Sequence, residues 1–206
     1  MSPIVEQQLK TIKQSFRQMM DGSVAQSMRE KGVGYHLNWG ATLPRLQALA
    51  REYEPSYELA LALWKENIRE CKILATMLMP PDEILPEVVD IWMEQTDTVE
   101  VAEQAAMNLY RFLPYAPEKA YQWIASDREL EQLCGFHVLS RLFMQGQEPN
   151  ERGINEFVDQ ALAALQGSSL AVRKSAMNSL RRFSELGLVY ERIAKSALKR
   201  ANLDFL

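Results

Sequence analysis

The sequence is poor in the residues that most site chemistry needs. It has two cysteines and two histidines in 206 residues. Cys71 and Cys134 lie within apolar helical segments and read as small buried thiols of a reducing compartment, not as a disulfide. His36 and His137 stand alone, without cysteine or carboxylate at ligand spacing, so no metal is expected. There is no Gly-rich phosphate loop and no Gly-x-Ser-x-Gly elbow, and no cofactor is expected. No run approaches the roughly 18 to 20 uncharged apolar residues that span a bilayer, so a membrane is not an expected partner. The opening "MSPIVEQQLKTIKQSF" is charged and amphipathic without an apolar signal core, which makes the cytoplasm the expected location. Strand signals are missing too: no alternating β-branched run and no Asn-Gly hairpin occurs.

What is present is apolar residue at helical spacing. With 47% apolar and 24% charged residues, the chain has the make-up of a globular protein with a sizeable core, expected to be one domain over residues 1–206. The net charge of −4 is unevenly spread. Residues 1–80 carry ten Lys/Arg against eight Asp/Glu, residues 81–131 three against twelve, and residues 151–206 nine against six. A polyanion would have to meet the two ends and avoid the middle.

Periodicity and breaks predict helices over 3–20, 42–53, 56–66, 68–79, 83–95, 97–113, 117–125, 129–145, 151–166, 169–185 and 188–203. Pro80-Pro81 is a stop, Gly167 suits a left-handed helix end, and Ser126 or Asp127 suits a cap. Short helices with short connections imply antiparallel pairs stacked side by side. Three segments, "IRECKILA" from Ile68, "LEQLCGFH" from Leu130 and "VRKSAMNS" from Val172, share a faint template. It favours an all-α solenoid of stacked HEAT-like helix pairs, curved around a concave channel, over a closed bundle.

The stretch "LALWKENIRECKILATMLM" is the most informative. Leu61, Trp64, Ile68, Cys71, Ala75 and Leu78 form one stripe at steps of three and four. Leu63, Ile73, Leu74 and Met77 add a second apolar surface, as for a helix packed on two sides. Lys65, Arg69 and Lys72 thread through it and are expected to share a thin exposed strip. Arg173 matches Arg69 in the repeat template, and Arg181 lies two turns beyond it.

From about Tyr35 onward the sequence resembles the DNA alkylation-repair family of HEAT-like-repeat proteins, the AlkD-type glycosylases. The likeness rests on "WGATLPRLQALAREY", "ELALALWKENIRECKILATML", "TDTVE" and "VRKSAMNSLRR". Residues 1–34 would be helices preceding repeats over 35–206. The resemblance implies a C-shaped solenoid with a basic channel for duplex DNA, alkylated or otherwise structured. Active members remove alkylated purines with an aspartate, an arginine and two tryptophans: the carboxylate stabilises a cationic sugar, and indole faces contact DNA beside a cationic lesion. On this chain the aspartate position falls on Glu100 and the first tryptophan on Thr96, within Thr96-Asp97-Thr98-Val99-Glu100. The arginine falls near Gln132 or Leu133, and the late tryptophan on Asn178.

Two readings stay open. In the first, duplex DNA is held through phosphates by Lys65, Arg69, Lys72, Arg173, Lys174 and Arg181. Glu100 is then the one residue placed to assist N-glycosidic bond hydrolysis, with Trp92, Thr96, Asp97, Gln132 and Asn178 as channel positions. In the second, the protein is a non-enzymatic scaffold that grips a protein partner. Trp39, Trp64 and Trp123 read as packing residues. Asp97, Glu100 and Glu103 share a face that is either a solvated acidic stripe or part of the channel. A monomer is expected in either case.

Overall fold

The computed structural model describes residues 2–30 and 34–203; residues 1, 31–33 and 204–206 of the predicted span lie outside the described residues. The chain runs through α1 (Pro3–Met19), α2 (Gly22–Glu30), α3 (Leu43–Ala50), α4 (Tyr57–Lys65), α5 (Arg69–Leu78), α6 (Pro86–Glu94) and α7 (Val99–Asn108). A 3₁₀ turn (Tyr110–Phe112) leads to α8 (Ala116–Ile124), α9 (Glu129–Met144), α10 (Glu151–Gln166), α11 (Leu170–Ser184) and α12 (Leu188–Arg200). Among the described residues no strand forms; an isolated bridge joins Leu37 to Ile68. No described helix is long and apolar enough to cross a membrane. The packing divides into two compact units, Met1–Leu109 and Tyr110–Leu206.

Helix starts follow local chemistry. The side chains of Ser2, Ser56, Thr98, Asn150 and Ser169 each accept a backbone N–H of the first turn that would otherwise lack a partner. The cap expected at Ser126 or Asp127 is instead at Arg128, whose N–H donates to Ser126 Oγ at 3.1 Å. Gly167 ends α10 with φ −69° and ψ 168°, extended rather than left-handed. The helix predicted over 97–113 breaks at Leu109, whose φ of −128° and ψ of −62° leave the helical region. Its continuation is the 3₁₀ turn.

The first unit packs α5 against α3, α4 and α7, and α1 against α4. Its core holds Ile12, Phe16, Leu46, Leu59, Leu63, Ile73 and Leu74. Cys71, also buried there, has its thiol pushed up by desolvation first. The stripe read through residues 61–78 is real, but it crosses two helices. α4 ends at Lys65, and both Glu66 and Ile68 are extended. The turn between them is held by the segment 34–42, where Arg69 N–H donates to Leu37 O at 3.0 Å. Gly40 is needed in that segment: its φ is +76°, and a Cβ would run into the Asp21 carbonyl.

The second unit is built on helix pairs α8–α9 and α10–α11, with α9 packed on α11 and α12 closing the end. Its core is aromatic. The Phe157 ring lies 5.0 Å from that of Phe143 and 5.1 Å from that of Phe183. Helices α8 and α9 approach so closely that a Cβ on Gly135 would stand 2.8 Å from Ala120 O. Burial also pushes the Cys134 thiol up.

Candidate functional site

The expected basic row does not form a solvent strip. Lys65 is exposed at the end of α4, whereas Arg69 and Lys72 lie on α5 and are buried. Arg69 is 2% exposed and Glu70 is 0% exposed. The Arg69 guanidinium makes a two-pronged contact with Glu100 on α7, Nε to Oε2 at 2.7 Å and Nη2 to Oε1 at 2.5 Å. Its Nη1 donates to Ala41 O at 2.8 Å and to Glu70 Oε1 at 3.1 Å. All three guanidinium nitrogens therefore donate within the protein, and none is left aimed at a phosphate.

This network closes on itself. Glu70 also accepts the N–H groups of Trp39 and Ala41, each at 3.2 Å, which stitches the 34–42 segment to the first turn of α5. The Tyr35 hydroxyl donates to Glu100 Oε2 at 2.6 Å and accepts from Thr98 Oγ1 at 3.1 Å. Burial acts to raise the Glu100 carboxyl, but the bonds from Arg69 and Tyr35 and the arginine charge outweigh it and hold it below its ordinary value. Burial likewise acts against the Arg69 charge, and the bonds and charge of Glu100 reverse it. Tyr35 is raised, first by burial and then by Glu100.

Lys72 is anchored beside this network. Its Nζ lies 4.3 Å from the centre of the Trp64 ring and donates to Gln95 O at 3.3 Å. Burial lowers its ionisation, against the opposing pull of Asp97. Trp64 stacks on Trp92 with centroids 4.2 Å apart, and its indole N–H donates to Gln95 Oε1 at 2.8 Å. Trp92 is 2% exposed and Thr96 4%, with the Thr96 hydroxyl turned back to Trp92 O at 2.8 Å. Neither is a surface position; both close the core beneath α6. Asp97 is exposed beside them.

The second unit is arranged differently. Arg173, Lys174, Met177, Asn178 and Arg181 share one face of α11 and, with Leu165, line a cleft of about 340 Å³. The three cations are exposed and form no ion pair among the described residues. Asn178 is half-buried and donates to Ser140 Oγ at 3.1 Å. Gln132 lies apart from these, half-buried on α9, and donates to Ser126 O at 2.6 Å. No group of three His, Cys, Asp or Glu is placed to hold a metal ion among the described residues.

Sequence reasoning missed Tyr35, and it missed that Glu70 is buried and that Glu100 has an arginine partner. Arg69 and Glu100 are 31 residues apart on different helices, and no spacing rule connects them. The one local signal was the adjacency of Arg69 and Glu70 in a run otherwise apolar, since adjacent charges in such a run are held only if paired.

The all-helical array of stacked pairs, with a cationic helix in the second unit, defines a helical-repeat protein of HEAT-like type. A solved structure from a new family of proteins related to the HEAT-like repeat DNA glycosylases, with affinity for branched DNA structures, has this fold. It superposes with a TM-score of 0.80 at 16% identity, over 94% of this chain and 83% of its own. The family model described as DNA alkylation repair enzyme matches residues 12–187, and the chain belongs to that family. No curated protein matches it by sequence.

Proposed function

We propose that this protein binds DNA through its phosphates, with α11 as the principal contact, and that it does not excise bases. The observation that carries this reading is the set of three cations on one face of α11, Arg173, Lys174 and Arg181, around the cleft and without an ion pair among the described residues. Exposed cations with no protein counter-charge suit a polyanion, and an arginine fork matches phosphate oxygens. Family membership supplies the nucleic-acid context. Lys65, exposed on α4, is a further candidate for a phosphate. Contacts of this kind position a duplex without reading its sequence.

Glu100 is better understood as a fastening than as a catalyst. Both of its oxygens are occupied by Arg69 and Tyr35, so approach to a sugar would require breaking a charge-assisted clamp. The related positions Thr96, Gln132 and Asn178 supply neither an indole wall nor a cation.

The test is binding of labelled duplex, and of a branched duplex in view of the solved relative, at two salt concentrations. The logarithm of affinity should fall with that of salt by about 0.9 per phosphate neutralised. Arg173→Ala and Arg181→Ala should each reduce that slope. Binding that is absent or indifferent to salt would remove the reading and favour a protein partner. Base release from alkylated duplex above background, abolished by Glu100→Gln, would overturn the non-catalytic part.

A further inference from the structure

The second unit holds another cationic pair, off α11. Arg111 belongs to the Tyr110–Phe112 turn, and Arg141 to the last turn of α9, two elements packed together. Neither forms an ion pair among the described residues. The side-chain contact of Arg141 is the Met144 thioether at 3.5 Å. Arg111 Nε is shut off from solvent with no acceptor among the described residues. The Arg111 guanidinium carbon lies 4.3 Å from the centre of the Phe112 ring, and that ring belongs to a residue 47% exposed.

Such an arrangement leaves positive charge unanswered at one place on the second unit. Burial first, and then the positive charge of Arg141, act against the charge of Arg111, with no carboxylate among the described residues acting the other way. Two guanidinium groups on packed elements, with no carboxylate between them, suit a shared anion. An exposed phenyl ring beside them adds an apolar surface whose natural occupant is another flat ring.

We propose that Arg111, Arg141 and Phe112 bind one nucleotide of an unpaired strand, the two guanidiniums holding its phosphate and the Phe112 ring stacking its base. This rests on the reading of the protein as a DNA binder and makes it more specific. In a duplex both faces of each base are covered by neighbours, so an aromatic ring finds a partner only where bases are unstacked. The site therefore favours DNA with single-stranded segments, while α11 requires only a backbone.

The test uses the full chain and two probes followed by fluorescence anisotropy: a short oligothymidylate and a blunt-ended duplex. Phe112→Leu, Arg111→Gln and Arg141→Gln should each weaken oligothymidylate binding by about tenfold and leave duplex binding unchanged. Phe112→Leu keeps an apolar side chain at the position, and an unaltered melting temperature shows that the variants are folded. The proposal falls if the unmodified protein does not bind oligothymidylate, or if Phe112→Leu binds it equally well. If oligothymidylate binds in a Phe112-dependent way and the blunt duplex does not bind at all, the proposal stands and the assignment of α11 as a duplex contact falls.

Discussion

Arg69 and Arg173 occupy matching places in the repeat template and have opposite fates. Arg69 is buried, clamped to Glu100 and flanked by Glu70. Arg173 is exposed, followed by Lys174, and has no carboxylate partner among the described residues. The contrast extends to the units around them. In the first unit, Lys13 pairs with Glu66 at 2.7 Å, and Lys72 sits over an indole ring. In the second, the cations of one α11 face and the Arg111–Arg141 pair have no counter-charge among the described residues. The lesson is that a cation at a repeat position is open to a ligand only where the fold has not already supplied an anion.

Removing Arg69 should produce the largest effect. Arg69→Ala leaves the fully buried Glu70 without its charge partner, and a broken buried pair costs about 3–5 kcal/mol. Urea unfolding would measure it, and a loss below about 1 kcal/mol would mean that the clamp is incidental. The mirror experiment is Arg173→Ala with Arg181→Ala, which should leave stability within about 0.5 kcal/mol. DNA affinity should drop about tenfold per residue, with the salt slope reduced by about 1 for each.

Glu100→Gln probes the same clamp through pH. The folded protein holds this carboxyl below its ordinary value of 4.5, so folding favours the ionised form. The resulting stability is complete above the unfolded value and is lost as pH falls through the folded one. The variant should be less stable at pH 7 by about 1–3 kcal/mol. It should also lose less on acidification from about pH 5 downward, because glutamine does not titrate. Equal slopes for the two proteins in melting curves across that range would exclude the clamp as an acid-sensitive element. Smallest of all, Asn178→Ala removes the bond to Ser140 and should cost about 0.5–1.5 kcal/mol in a thermal melt. If it weakened DNA binding as strongly as Arg181→Ala, the floor of the α11 cleft would be a direct contact.

Much of the fold was legible from residue order. Helix starts at or next to Ser56, Thr98, Asn150 and Ser169, the stop before Pro80, and the apolar spacing of α5 and α11 are local, and they appear where the chain places them. The candidate site was legible only in part. Arg173, Lys174 and Arg181 line one cleft because Arg181 lies seven and eight residues, two helical turns, beyond the other two on one helix. Lys65, Arg69 and Lys72, at steps of four and three, also keep helical register and do not share a face, because the helix ends between the first and the second. Trp92 and Thr96 read as channel positions, yet both lie in the core, where the Trp64 ring stacks on Trp92.

Residue order alone therefore determined that this chain is a series of paired helices and which of its helices carry cations, since both depend on neighbours within a turn or two. Tertiary structure decided which of those cations are available. Availability depends on a carboxylate 31 residues away, on a loop wrapped over the start of α5, and on whether water reaches the side chain. These are distances in space, and nothing in helical periodicity encodes them.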